Sequence, residues 1–435
     1  MSKKYLSQLT WEEVLDKEGI PSPTSGNKIC CPFHKEKTPS CSLSYLNGKP
    51  VWYCFGKCNR GGGVVDFFHL LHQDQYSSSS AALAAMAKKY DLYCAPKKEV
   101  PSWYKAYTDV CEACAKAFVS EYSTKHLDYW ESRGFSPATI LHFQLGYTPS
   151  YWGKETLVDK LKNTYGIDTW HPDVIPALYE SHLFEQQWDT FFLTDRYMIP
   201  IQDGDGNYIG FTGRSLSPEV IAKGKKYINN YESKYFHKRD IIFNYHNIKY
   251  APKVTIVEGP LDAISLYEAG VITAGAIMGS HITDEHYPML DGKEVVLCLD
   301  KDDAGYKGML EAVKKQPRFY VKDMSTFPYN DWNEALIAVG PAKVKELYDS
   351  LPEISGAEYI LNRKIETLGT KDATTRNEIF KDVAAACRVD TLYTNLDVLA
   401  KAFFKLGNLE PSESNIDSMV KLLDKILNKK ERGNK

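Results

Sequence analysis

Residues 254–307 read VTIVEGPLDAISLYEAGVITAGAIMGSHITDEHYPMLDGKEVVLCLDKDDAGYK. Two apolar runs, 254–257 and 294–299, have the length and β-branched content of buried parallel strands. Each ends in acid. The first runs into Glu258 and Gly259, with Asp262 four residues beyond Glu258; the second runs into Asp300, then Asp302 and Asp303. Between them, Pro260–Glu268 has helical spacing, and Gly270 sits where a helix stop belongs. The unit is β-α-β, with carboxylates at the carboxyl ends of its strands, where open α/β sheets place their sites. Acids after strands also serve as turn residues, but two strand-end clusters joined by one crossover favour a metal site. Carboxylates grouped in this way repel one another unless a cation shares them. Hard oxygen ligands favour Mg²⁺ or Mn²⁺, and ions held so organise phosphates for in-line transfer.

The chain around this stretch has 435 residues, room for about three domains. Its apolar content of 43% is ordinary for a globular protein. No run of about 18 apolar residues occurs, so no membrane span is expected. The start, MSKKYLSQLTWEEVLDKEG, lacks an apolar signal-peptide core, which points to a cytoplasmic protein. Ten cysteines in such a chain suggest reduced thiols or metal ligands, not a disulfide scaffold. Net charge is −3, so contacts to nucleic acid would have to be concentrated locally.

After a short amphipathic helix within residues 1–20 comes NKICCPFHKEKTPSCSLSYLNGKPVWYCFGKCNRGGGVVDFFHLLH. It carries two knuckles, Cys31-x2-His34 and Cys54-x3-Cys58, separated by alternating stretches around Asn47-Gly48 that read as a hairpin. Two ligand pairs on turns joined by a hairpin make a closed tetrahedral zinc site, which supplies much of the folding energy of so small a module. Cys30 and Cys41 are spare, Cys30 competing with Cys31. Lys35, Lys37, Lys57 and Arg60 are interleaved with Phe33, Trp52, Tyr53 and Phe55; the aromatics suit either base stacking or a small core, and core is the expected role for each one.

Residues 73–80 and 93–101 are linker-like, with a helix expected at 81–90 between them. This composition permits motion of the module. Residues 103–130 are helical in pattern. Cys111 and Cys114 fall within them at i, i+3 spacing, which suits ordinary packing. Strands are expected at 197–201 and 208–212, around an Asp203-Gly-Asp-Gly turn that lacks calcium-loop spacing. From Lys223 to Asp240 there are six Lys or Arg and two acids, interleaved with Tyr227, Asn229, Tyr231, Tyr235 and Phe236. Such a pattern suits a nucleic-acid groove.

These motifs carry a resemblance. EGPLDA followed by LDKDDAG resembles the Toprim signature of bacterial primases, topoisomerases and some nucleases. CPFHKEKTPS, WYCFGKC, GG and VVDFF resemble the CHC2-type zinc ribbon of DnaG-type primases. GFSPATILHFQLG, then DRYMIPI, GFTGR, KYIN and FHK, resemble the basic half of the same polymerase core. The resemblance covers residues 25–340 in that family's own order. It implies that Glu258 is the acid–base or metal-bridging carboxylate, that Asp300 and Asp302 are metal ligands, and that Arg196, Arg214, Lys226, Asn229 and Lys238 hold template, primer or triphosphate. FPYNDWNEAL resembles the third acidic motif: Asp331 keeps one acid, and Asn333 stands where a second is common. The second knuckle departs too, with C-x3-C in place of C-x2-C, and Asp303 stands where many relatives have a basic residue. His281, His286 and Cys298 near these motifs are expected to be structural.

The expected architecture is a multidomain α/β (α+β) chain. It comprises a zinc ribbon (1–72), a linker (73–101), a basic N-terminal subdomain of an RNA-polymerase core (102–250), a Toprim β/α subdomain (251–345) and a C-terminal helical region (346–435). The expected activity is a DNA primase, a nucleotidyltransferase making short RNA primers on single-stranded DNA. Its cofactors would be one structural zinc, and Mg²⁺ or Mn²⁺ held by Glu258, Asp262, Asp300, Asp302 and Asp331. Its substrates would be ribonucleoside triphosphates and its partner a replicative helicase, with a monomer acting at the replication fork. The compact length and the absence of a Walker-type GxxxxGK[ST] suggest a bacteriophage or mobile-element primase without a fused helicase. Two alternatives remain: a Toprim strand-cleaving nuclease, and a non-catalytic adaptor binding DNA and helicase.

Overall fold

The computed structural model describes residues 8–23, 26–46, 49–58, 60–76, 79–92, 100–120, 124–152, 154–180, 194–356, 358–360, 400, 404 and 412–428. Three sheets organise these residues.

Helix α1 (Trp11–Glu18) begins at Thr10, whose hydroxyl accepts the Glu13 amide, and ends at Gly19, which takes the left-handed conformation. Strands β1 (Lys28–Ile29), β2 (Cys41–Leu46), β3 (Lys49–Cys54) and β4 (Arg60–Gly63) form an antiparallel sheet in chain order. The expected Asn47-Gly48 turn lies outside the described residues, but Leu46 and Lys49 pair across it. Helices α2 (Val64–Leu71) and α3 (Ser79–Lys89) complete the module. Side chains alternate along β3. Trp52 points into the module's own core, 4.9 Å from the Phe33 ring and 5.6 Å from Phe67. Tyr53, next in sequence, joins Ile242, Ile256 and Ile277 of the third sheet's core. Each such ring buried contributes about 1.5–3 kcal/mol, so the module is docked as well as tethered.

The helical pattern at 103–130 resolves into α4 (Ser102–Ser120) and α5 (Thr124–Ser132), followed by α6 (Pro137–His142). Cys111 and Cys114 are fully buried on α4. Burial pushes the Cys111 thiol up to about 12, which suits packing rather than reactivity. Then come β5 (Gly146–Thr148), α7 (Lys154–Tyr165), α8 (Val174–Glu180), β6 (Arg196–Gln202), β7 (Tyr208–Arg214), α9 (Pro218–Ala222) and β8 (Tyr227–Asn229). The four strands form an antiparallel sheet in chain order, and α4 packs on β7. The DGDG segment is a turn: the Asp203 carboxylate accepts the amides of Asp205 and Asn207.

Past α10 (Tyr245–Ile248), the third sheet contains β9 (Lys253–Val257), β10 (Ala274–Ala276), β11 (Glu294–Leu297), β12 (Tyr320–Lys322) and β13 (Glu353–Ser355). Helices α11 (Pro260–Glu268), α12 (His286–Leu290), α13 (Asp303–Lys315) and α14 (Trp332–Ser350, kinked at Gly340) intervene. Spatial order is β10-β9-β11-β12-β13, parallel except for the last. The chain leaves β9 for β10 on one side and returns to place β11 on the other. The crevice between the carboxyl ends of β9 and β11 is therefore the topological switch point, where such sheets bind ligands. A bridge between Phe243 and Ala276 joins this sheet to the preceding subdomain. His286 is buried with its ring bonded to the Ile241 carbonyl, and Cys298 is buried. Of the region 346–435 the last described helix is α15 (Glu413–Asn428). Among the described residues no helix is long and apolar enough to cross a membrane.

Candidate active site and metal-binding cluster

Glu258 is the first residue beyond β9, and Asp300 lies three residues beyond the end of β11, so both stand at the switch point. They face a cavity of about 600 Å³, which Asp262, Asp331 and Asn333 also line. Asp262 sits in the first turn of α11 and is 6% exposed. Its Oδ1 crosses to α14 and accepts the amides of Trp332 (3.1 Å) and Asn333 (3.3 Å). Asp331 is the N-cap of α14 and accepts the Glu334 amide at 2.6 Å. Two acids thus share one helix N-terminus, where exposed amides and the dipole favour negative charge. Glycine makes this packing possible: a Cβ on Gly305 of α13 would lie 2.2 Å from the Asp300 carbonyl oxygen.

The acids are electrostatically frustrated. Burial, then the charges of Asp262, Glu258, Asp331 and Asp302, push Asp300 up to about 8. Burial and Asp331 push Asp262 up to about 7, against the pull of the two α14 amides. Burial and Asp302 raise Glu258, and Lys238 opposes them. Among the described residues, Glu258 Oε2, Asp300 Oδ1 and Asn333 Oδ1 are buried with no hydrogen-bond donor. Buried acceptors are seldom left so. An all-oxygen donor set with unmet acceptors fits a hard divalent cation. Asp302 is placed differently from Asp300. It is exposed, does not line the cavity, and caps α13 through the Gly305 amide at 2.8 Å.

The opposite wall comes from the second sheet and the loop after it: Arg214, Lys226, Asn229 and Lys238 line the same cavity. Tyr227 lies between the cations, its hydroxyl accepting from Arg214 Nη1 at 2.7 Å. Arg196 is not brought there. It is 5% exposed and its Nη1 donates to the carbonyls of Gly213 and Lys225, both at 3.1 Å. Its position at the start of β6 turns it inward, so it fixes the backbone beside Lys226 instead of presenting a free cation. A residue that sequence reasoning missed, Arg133, lines the cavity from the end of α5. Gly134 follows it with a positive φ, and Leu336 of α14 fills the space where its Cβ would be. The sequence held only the faint signal of an Arg-Gly pair at a helix stop.

The second cluster is closed. Cys31, His34, Cys54 and Cys58 place one ligand atom each within 4.8 Å of one another. His34 Nδ1 lies 3.0 Å from Cys58 Sγ and 3.9 Å from Cys54 Sγ, and Cys31 Sγ lies 3.6 Å from Cys58 Sγ. Three thiols and an imidazole at such spacings fit tetrahedral zinc. Cys30 is exposed, and Cys41 is a buried neighbour opposite Cys54 in the sheet. Burial and the adjacent Cys31 push the Cys58 thiol up to about 12, a penalty that a bound cation reverses. Glu36, unnoticed in the sequence, braces the site. It accepts from His34 Nε2 (2.8 Å), the Cys31 amide (2.6 Å), and the Ser40 amide and hydroxyl (3.1 and 2.6 Å). Among the described residues no carboxylate trio converges as these four do.

Three family models match the chain: the CHC2 zinc finger over residues 17–100, the N-terminal domain of the DNA primase catalytic core over 115–249, and a Toprim-like model over 255–336. The DNA primase of Deinococcus radiodurans is 30% identical over 339 residues, covering 73% of this chain and 55% of that protein. The chain thus spans about half the length of the curated relatives it matches. The zinc-binding and RNA polymerase domains of the Aquifex aeolicus primase superpose with a TM-score of 0.54 at 25% identity, covering 93% of this chain and 96% of that one. A DnaG primase catalytic domain bound to single-stranded DNA shares the fold, with a TM-score of 0.56 at 18% identity over 71% of this chain and 97% of that one.

Proposed function

The chain belongs to the DnaG-type DNA primases, and on that premise we propose that it joins ribonucleoside triphosphates into short RNA primers on a single-stranded DNA template. One observation carries the reading. A wall of acids at the switch point of one sheet faces Arg214, Lys226 and Lys238 from another across a cavity of about 600 Å³. Acid alone would hold a cation and base alone an anion. The pair suits a cation–triphosphate substrate, and the relative bound to single-stranded DNA supports the template assignment.

In this reading a 3′-hydroxyl attacks an α-phosphate and pyrophosphate leaves. Glu258, Asp262, Asp300 and Asp331 would hold Mg²⁺ or Mn²⁺. The ion supplies charge stabilisation on the transferring phosphoryl group. Glu258, with its raised proton affinity, is suited to take the hydroxyl proton. Arg214, Lys226 and Lys238 neutralise phosphate oxygens, and Arg133 joins them from the third side. Asn229 positions the nucleotide, while Asp302 and Arg196 act through the backbones they hold. The zinc module, with zinc on Cys31, His34, Cys54 and Cys58, clamps or selects template. The division into 102–250, 251–345 and 346–435 follows these roles, while the zinc module extends past the expected boundary at 72, because Ala82, Met86 and Tyr90 of the expected linker lie in its core; a replicative helicase is the partner this chemistry calls for at a fork.

The test is incorporation of labelled ribonucleotides on circular single-stranded DNA with Mg²⁺ or Mn²⁺, with Asp300→Ala alongside. Short products from the wild type alone are expected. Equal products from both would remove Asp300 from the reaction, and plasmid nicking without incorporation would favour a strand-cleaving enzyme.

A further inference from the structure

Asn333 stands where an acid is common in the motif, yet it is 1% exposed, at the start of α14. Its amide orientation is not free. Nδ2 donates to the carbonyl of Arg133 at 3.1 Å and to Ser265 Oγ at 2.9 Å. A backbone carbonyl can only accept. The Ser265 hydroxyl has already committed its single proton to the Leu261 carbonyl at 2.7 Å, so it too can only accept here. Flipping the amide would put Oδ1 against two acceptors. The nitrogen is therefore fixed on these two acceptors, and Oδ1 is left buried without a donor among the described residues. Asn333 lines the cavity together with Glu258, Asp262, Asp300 and Asp331. An acceptor surrounded by acceptors gains most from a cation.

We propose that Asn333 is a divalent-cation ligand through Oδ1, a neutral oxygen held in place by Ser265 and the Arg133 carbonyl. The inference rests on the primase reading only in placing the cation in this cavity. It carries a consequence opposite to simple charge counting. An aspartate at 333 would add charge to the site, but one carboxylate oxygen would face the Arg133 carbonyl and Ser265 Oγ, neither offering a proton. The carboxylate would have to turn away or break the Ser265–Leu261 bond. This site is built for an amide, and the substitution from acid to Asn is matched by its surroundings.

The test is Mn²⁺ binding by the full, zinc-loaded chain without nucleotide, read from the free-ion electron paramagnetic resonance signal. Thermal unfolding checks that each variant is folded. Asn333→Ala is expected to weaken binding roughly tenfold or more, and Ser265→Ala, which leaves the amide held by the Arg133 carbonyl alone, by up to about tenfold. Asn333→Asp is expected to bind no tighter than wild type. Unchanged affinity in Asn333→Ala, or clearly tighter binding in Asn333→Asp, would overturn the proposal. Should Asn333→Ala not fold, Ser265→Ala and Asn333→Asp decide it by the same criteria. Asp300→Ala separates the two readings. If it abolishes binding while Asn333→Ala does not alter it, only Asn333 loses its role. If it leaves binding intact, the cavity is not the cation site and both readings fail.

Discussion

The two metal-type sites differ in how they are made. The cysteine–histidine cluster draws its ligands from 28 residues of chain, closes them within 4.8 Å, and braces them through Glu36. The acid cavity draws on the ends of β9 and β11 and on α11 and α14, stays open, and leaves three oxygens without a donor among the described residues. One arrangement is finished without substrate and the other is not. A structural zinc needs four protein ligands and a shut shell. A hard ion that must also meet phosphate needs vacant positions and tolerates spread ligands. On the proposed reading, the difference separates a site that holds the fold from one that does the chemistry.

The sharpest way to break that contrast is to remove each metal in turn. Stripping zinc with a chelator, or Cys54→Ser, should unfold the small module, since structural zinc contributes on the order of 10 kcal/mol or more to folding of such units. Limited proteolysis should then cut within the zinc module while 194–350 resists. A module that stays resistant without zinc would mean that the Trp52–Phe67 core suffices. Asp300→Ala should leave the fold intact and lower ribonucleotide incorporation by roughly 100-fold or more.

Protons offer a finer separation. Asp300 and Asp262 are raised above their ordinary values, to about 8 and about 7. Between the unfolded carboxylate value near 4 and these folded values, the folded state binds more protons. Its stability therefore falls as pH rises through that window. Without divalent cation the core should melt at lower temperature at pH 8 than at pH 5, and Mg²⁺ should restore most of the difference. A melting temperature indifferent to Mg²⁺ at pH 8 would show that the acids do not share a cation. The two arginine placements, one buried and one at the cavity, sharpen the contrast further. Arg196→Ala should cost about 1–3 kcal/mol of stability by orphaning the Gly213 and Lys225 carbonyls. Arg214→Ala should leave stability nearly unchanged and weaken nucleotide or template binding.

Much of this was legible, for physical reasons. The convergence of Cys31, His34, Cys54 and Cys58 could be read because each pair sits on one turn, so spacing alone encodes proximity. The switch-point acids could be read because strand ends converge in any parallel sheet, whatever the packing around them. Arg133 and the Asn333 orientation could not, because each depends on contacts between elements that no local pattern records; Glu36 bonds only residues within five positions of it, but its spacing does not show that its carboxylate folds back on them. Arg133 reaches the cavity only because the turn after α5 packs on α14 at Gly134 and Leu336. Arg196 shows the same limit in reverse. Sequence gives its charge and strand position, but only the loop carrying Lys225 shows where its guanidinium is spent. Asp302 likewise spends one oxygen on a helix cap.

The smallest effect expected is also the closest comparison between the sites. Glu36 orients His34 in the closed cluster, as Ser265 orients Asn333 in the open one. In Glu36→Gln one carboxylate oxygen becomes an NH₂ group. The Cys31 and Ser40 amides and the Ser40 hydroxyl then have one acceptor oxygen among them where they had two. Zinc affinity should fall by about tenfold, measured by competition with a chromophoric chelator, while primer synthesis at saturating zinc stays near wild type. The ligands remain, and a closed shell tolerates a looser brace once filled. Ser265→Ala should behave otherwise: its loss should persist as a higher Mg²⁺ requirement for synthesis, because an open site is refilled at every turnover. If Glu36→Gln and Ser265→Ala respond alike to excess metal, the distinction between a finished and an unfinished site fails.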